Sequence, residues 1–93
     1  MTKEERVIFT DAIQTFGKNT QIVVAIEEMS ELIKALTKKL RGSQNLNSII
    51  EEIADVEIML DQLKLMSCVF TDVKNERDFK VQRLAERIKE AAP

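Results

Sequence analysis

The sequence predicts an all-α fold: a four-helix, antiparallel bundle-like domain that assembles into a homo-oligomer. Apolar residues recur at steps of three and four along most of the chain, which is the periodicity of amphipathic helices. Helix breakers are rare, with two glycines and one proline among 93 residues. Residues 1–93 suffice for one domain, and a chain this small leaves much surface exposed, so association with further copies would stabilise it.

The first two helices have clear boundary signals. The first covers about residues 3–16, begins at a capping box formed by Thr2 and Glu5, and ends before Gly17. The second covers about residues 20–41 and has the most regular apolar stripe. We expect this stripe to face the core; it consists of Ile22, Ile26, Met29, Ile33, Leu36 and Leu40.

The third helix covers about residues 48–68 and begins at a second capping box, formed by Ser48 and Glu51. Its apolar stripe is Ile49, Ile53, Val56, Leu60 and Leu63. The fourth helix covers about residues 72–90, with Thr71 or Asp72 as its cap, and is more polar. The second helix has another, weaker apolar face, which indicates packing against a neighbouring helix or a second subunit: Val24, Ala25 and Leu32.

Composition excludes several classes of function. The formal net charge is −2 with both signs dispersed, so we expect no binding to nucleic acid polymers. No apolar run approaches the ~20 residues that span a bilayer, and the polar N-terminus is unlike a secretory signal. The single cysteine, Cys68, is typical of a packed side chain in a reducing cytoplasm, where we expect this protein. Histidine is absent, which leaves carboxylates as the ligands for a hard cation.

Two acidic pairs are the most informative feature. Glu28 and Glu31 are three residues apart in the second helix, and Glu52 and Asp55 are three apart in the third. This spacing places each pair on one helix face, close to residues that should be buried. Four carboxylates brought together there would repel one another unless they gained protons or a cation. The alternative is a solvated face on which Glu28 or Glu31 pairs with the lysines at positions 34 and 38.

The connection between the two helices sets a condition on this site. Glu31 lies ten residues before Arg41, whereas Glu52 lies four residues after Ser48. In a hairpin with a tight tip the pairs would be offset by ~9 Å along the helices. We therefore expect the connecting loop to fold back along the second helix.

These residues also resemble a known family. Glu27-Glu28-x-x-Glu31, followed after twenty residues by Glu52-x-x-Asp55, is similar to the EExxE…ExxD signature of the MazG-like superfamily of all-α NTP pyrophosphohydrolases. Gln21 stands where these proteins often have a glutamine. The run from Lys80 through Arg83 to Arg87 resembles the basic C-terminal helix of short phage-type members, and the resemblance covers about residues 16–90.

The resemblance implies a reaction and a set of site residues. It implies Mg²⁺-dependent hydrolysis of a nucleoside triphosphate, often a deoxynucleotide, to the monophosphate and pyrophosphate, by water attack on the α-phosphorus. The implied partners are the nucleotide and further copies of the chain, as a homodimer or homotetramer. The implied residues are Glu28, Glu31, Glu52 and Asp55 as metal ligands, Glu27 and Glu28 as catalytic residues, and Gln21, Lys80, Arg83 and Arg87 as substrate contacts.

Other interpretations stay open from the sequence. Glu27 orients the attacking water, joins a second metal site or faces solvent. The chain as a whole is alternatively a non-catalytic helical interaction or regulatory module, whose acids bind a basic partner. A di-iron carboxylate bundle is disfavoured, because such sites use Glu-x-x-His and this chain has no histidine.

Overall fold

The computed structural model describes all 93 residues and contains four helices and no strands. They are α1 (Lys3–Phe16), α2 (Lys18–Leu40), α3 (Leu46–Ser67) and α4 (Phe70–Ala91). The predicted all-α class, the number of helices and the extent of α1 are confirmed. The other three helices each begin about two residues earlier than predicted.

The residues that cap each helix account for the early starts of α3 and α4. At α1 the capping box is present: the Glu5 amide donates to Thr2 Oγ1 at 3.0 Å, and the Thr2 amide donates to Glu5 Oε1 at 2.7 Å. The predicted box at Ser48 and the predicted caps at Thr71 or Asp72 are wrong, because those residues lie inside α3 and α4. Residues without a side-chain capping bond, Asn45 and Val69, precede these two helices instead.

The core is a narrow seam between α2 and α3, covered at one side by α1. Three residues of α2 and two of α3 are buried in it: Gln21, Ala25, Ala35, Met59 and Gln62. The two alanines are small, so the backbones can approach closely along this line. From α1, Phe9 adds the only buried aromatic side chain.

Five of the six residues in the apolar stripe of α2 are exposed and Met29 is half-buried, so the prediction that the stripe faces the core is wrong. Ile26 is 59% exposed, Ile33 64% and Leu40 89%. In α3, Ile53 and Leu60 are also exposed. Periodicity shows that a stripe exists but not what it faces; here the face with small residues packs inside the chain and the face with large residues stays outside.

The fourth helix projects from the rest of the chain. It packs mainly against α3, with the Arg6 guanidinium of α1 5.9 Å from the centre of the Phe70 ring, and every residue from Thr71 to Pro93 is exposed. The radius of gyration is 16.3 Å, against about 12 Å for a compact domain of this length. The packed part of one chain is therefore α1–α3. No helix combines the length and the apolar character that crossing a bilayer requires.

Candidate metal centre

A buried hydrogen bond sets the register between α2 and α3. Gln21 Nε2 donates to Gln62 Oε1 at 2.8 Å, and Gln62 Nε2 contacts the Met59 sulfur at 3.6 Å. Glu28 lies seven residues after Gln21, and Asp55 lies seven residues before Gln62. Seven residues are close to two helical turns, so an antiparallel pair that aligns the glutamines also aligns Glu28 with Asp55.

The connection between the helices folds back as the alignment of the acids requires. Residues 41–45 link the two helices, and Asn45 Nδ2 donates to the Ala35 carbonyl at 3.0 Å. This bond ties the loop to a position more than one turn before the end of α2. The early start of α3 at Leu46 removes much of the offset that a tight hairpin would have imposed.

Three carboxylates meet in this seam. Glu28, Glu52 and Asp55 each offer one oxygen, and these oxygens lie within 4.8 Å of one another. Glu28 and Glu52 are half-buried, whereas Asp55 is exposed. The Oε2 atom of Glu52 is inaccessible to solvent and has no hydrogen-bond partner.

The surroundings disfavour the charged form of two of these acids. Partial burial raises the pKa of Glu28, and the neighbouring Asp55 raises it further through charge repulsion and hydrogen bonding. Partial burial likewise raises the pKa of Glu52, with repulsion from Asp55 and Glu31 adding to the rise. The seam therefore destabilises its own negative charge unless a proton or a cation compensates.

The donor set fits a hard divalent cation. All three groups supply oxygen, the ligand that Mg²⁺ and Ca²⁺ prefer. Glu52 also has a buried oxygen that the protein leaves without a partner. Buried polar atoms normally have one, and a bound cation would supply it here.

The remaining two motif acids lie beside this cluster. The Glu31 carboxylate is 3.8 Å from the Lys34 ammonium, and both side chains are more than half exposed. Glu31 is nevertheless close enough to raise the pKa values of Glu28 and Glu52. Glu27 is exposed and lies one turn before Glu31 on the same side of α2. The structure thus brings together three of the four predicted ligands and places the fourth next to them.

The predicted substrate contacts lie elsewhere in the single chain. Gln21 is 6% exposed, and its hydrogen bond with Gln62 indicates a role in helix packing. Lys80, Arg83 and Arg87 are on the exposed part of α4, and no contact joins α4 to α2. Within one chain these three cations are not part of the carboxylate site.

Sequence reasoning missed a cavity that borders the carboxylates. Its volume is about 260 Å³, and Glu31 and Glu52 line it together with Lys34 and Lys38. The sequence indicates these lysines only as partners of acids on a solvated face. The signal was available in the spacing, because positions 31, 34 and 38 follow one another at steps of three and four.

Comparison with known proteins gives no significant match, whether to a family model, to a curated protein or to a solved structure.

Proposed function

We propose that this protein is a Mg²⁺-dependent nucleotide pyrophosphohydrolase, which converts a nucleoside triphosphate and water into the monophosphate and pyrophosphate. The observation that carries the proposal is the meeting of Glu28, Glu52 and Asp55 in the α2–α3 seam, with a buried Glu52 oxygen that has no partner. The similarity of Glu27-Glu28-x-x-Glu31 and Glu52-x-x-Asp55 to the MazG-like signature supports the choice of reaction.

The proposed roles follow from where the acids lie. Glu28, Glu52 and Asp55 hold Mg²⁺, which when bound supplies positive charge to the triphosphate and to the leaving pyrophosphate. Glu31 completes the set, since its only ionic partner is an exposed lysine 3.8 Å away, and such pairs contribute little. Glu27, exposed one turn before Glu31, accepts a hydrogen bond from the attacking water.

A homodimer or homotetramer is part of the proposal. The outward stripe of α2 leaves large apolar side chains in water, which a second copy would cover: Ile22, Ile26, Ile33, Leu36 and Leu40. Through such a partner, the cations of α4 would be supplied to a neighbouring site. Sedimentation should show a dimer or larger species at micromolar concentration, and Ile33→Asp should shift it towards monomer. A stable, folded wild-type monomer would contradict this part.

The test of the activity is release of pyrophosphate from a panel of nucleotides and deoxynucleotides. We expect release with at least one triphosphate in the presence of Mg²⁺, and none after the cation is chelated. Product analysis should show the monophosphate rather than the diphosphate, because attack at the α-phosphorus releases both outer phosphates together. Release of orthophosphate alone would contradict the assignment.

The uncovered apolar stripe also favours a second candidate, a non-catalytic helical interaction module. In that case the carboxylates would bind a basic partner. The same nucleotide panel separates the two functions, since the interaction module releases no pyrophosphate from any nucleotide.

A further inference from the structure

A polar cavity lies next to the proposed metal centre. It is bounded by the second half of α2, the connecting loop and the first half of α3, and its volume is about 260 Å³. Glu31 and Glu52 contribute to its wall, so it is continuous with the carboxylate site. Lys34 and Lys38 line it from α2.

The size and lining of this cavity select the kind of group that fits. Its volume lies just below the about 300–1,000 Å³ of pockets that enclose a drug-sized ligand, so it suits one part of a nucleotide better than the whole molecule. Only one of its eight lining residues, Ala35, is apolar, and none is aromatic, so it offers no surface for stacking a base. Hydroxyl groups from Ser43 and Ser48 are present instead. The lining therefore suits a small, highly charged group.

Neither lysine has a close, buried ionic partner. Lys38 forms no ion pair, and the single partner of Lys34 is the exposed Glu31 carboxylate at 3.8 Å. The two lysines are one helical turn apart, so their ammonium groups reach the same side of α2. Lysine is a common point-charge ligand for phosphate.

We propose that this cavity binds the pyrophosphate end of the substrate, with Lys38 and Lys34 as its phosphate ligands. The inference rests on the proposed function and deepens it, because it assigns two phosphate ligands to the same chain that supplies the carboxylates. Two lysines and two glutamates give the lining no net formal charge. Pyrophosphate therefore binds only when a divalent cation offsets the carboxylates.

The test is calorimetric titration of the full chain with imidodiphosphate, a non-hydrolysable analogue of pyrophosphate, with and without Mg²⁺. We expect binding only with Mg²⁺, a loss of about tenfold or more in affinity for Lys38→Gln, and near-wild-type affinity for Lys38→Arg. Lys39→Gln is the matched control, since Lys39 is exposed and does not line the cavity. It should bind as the wild type does.

The outcomes separate this inference from the proposed function. If Lys38→Gln and Lys39→Gln bind imidodiphosphate equally well, the inference is overturned while the metal centre stands. The same holds if the wild type releases pyrophosphate from a nucleotide but does not bind the analogue. If titration with Mg²⁺ alone shows no binding, both the inference and the proposed function are overturned.

Discussion

The α2–α3 seam contains two sets of polar side chains, one near its end and one near its middle, and only the first set is satisfied. At one end Gln21 and Gln62, both nearly inaccessible to solvent, satisfy each other with a 2.8 Å hydrogen bond. Two turns away, Glu28, Glu52 and Asp55 face one another with a buried oxygen unpartnered. A neutral, satisfied pair stabilises packing, whereas like charges in a half-buried seam oppose it.

This difference distinguishes a glutamine pair that stabilises packing from carboxylates that are candidates for function within the same helix pair. Sequences that fold well avoid unsatisfied charge in a core, and exceptions concentrate at functional sites. The glutamine pair needs no ligand to explain it. The carboxylates need a proton or a cation to offset their charge, and the register of the glutamine pair aligns Glu28 with Asp55.

The largest expected effect comes from removing one carboxylate charge. Glu52→Gln keeps the size of the side chain but removes a proposed ligand, so pyrophosphate release should fall by more than about 100-fold. Losing even an outer-shell partner of a metal ligand typically lowers activity 10–100-fold. Circular dichroism should show unchanged helix content. Glu57→Gln, an exposed acid outside the cluster, is the control and should retain activity.

A result in which Glu52→Gln retains full activity would show that the carboxylate cluster is not the metal centre. The carboxylates would then have no assigned function, whereas the structural role of the buried glutamine pair would be unaffected.

The glutamine end should respond in a different way. Gln21→Leu leaves Gln62 buried without its partner, so the free energy of unfolding should fall by about 1–3 kcal/mol in chemical denaturation. Gln21→Leu combined with Gln62→Leu removes both polar groups and should recover much of that loss. Because the pair fixes the register, we expect the double variant to bind Mg²⁺ more weakly than the wild type.

The exposed Gln82 provides the control, and Gln82→Leu should change stability by no more than about 0.5 kcal/mol. If the double variant binds Mg²⁺ with wild-type affinity, the hydrogen bond stabilises the seam without positioning the acids. Equal destabilisation by the single and double variants would mean that the pair makes no specific contribution.

The sequence predicts the helices better than their contacts. Breakers and periodicity locate all four helices, and the Thr2 box locates the start of α1. These signals do not show that the stripe containing Ile26 and Ile33 faces outwards. An apolar stripe has the same spacing whether it packs inside the chain or lies on the surface. The inward face of α2 is distinguished by the small side chains of Ala25 and Ala35. A count of apolar positions does not take side-chain size into account.

The candidate site shows the same limit. Spacing within each helix pairs Glu28 with Glu31 and Glu52 with Asp55, but the register between the helices decides which acids meet. That register depends on the glutamine pair and on Asn45 holding the loop against Ala35. Neither long-range bond is visible in a helical periodicity, so the spacing of Lys34 and Lys38 indicates a shared helix face but not the cavity that they line.

The smallest effect concerns the pH dependence of the metal-free protein. The pKa of Glu28 is raised above the ordinary carboxyl value of 4.5 by partial burial and by Asp55. The folded state therefore holds this proton more tightly than the unfolded state does. Its stabilising contribution is complete below pH 4.5 and is lost as the pH rises through the raised pKa.

Glu28→Gln imitates the protonated acid and should raise the melting temperature of the metal-free protein at pH 7 by a few degrees at most. The difference from wild type should disappear at a pH below 4.5, where Glu28 is itself protonated. Mg²⁺ should raise the melting temperature of the wild type at pH 7 and that of the variant much less. Glu57→Gln should behave as the wild type does in both respects. A Glu28→Gln protein that melts lower than wild type at pH 7 without Mg²⁺ would show that the charge of Glu28 is stabilised by the seam, and the contrast with the glutamine end would fail.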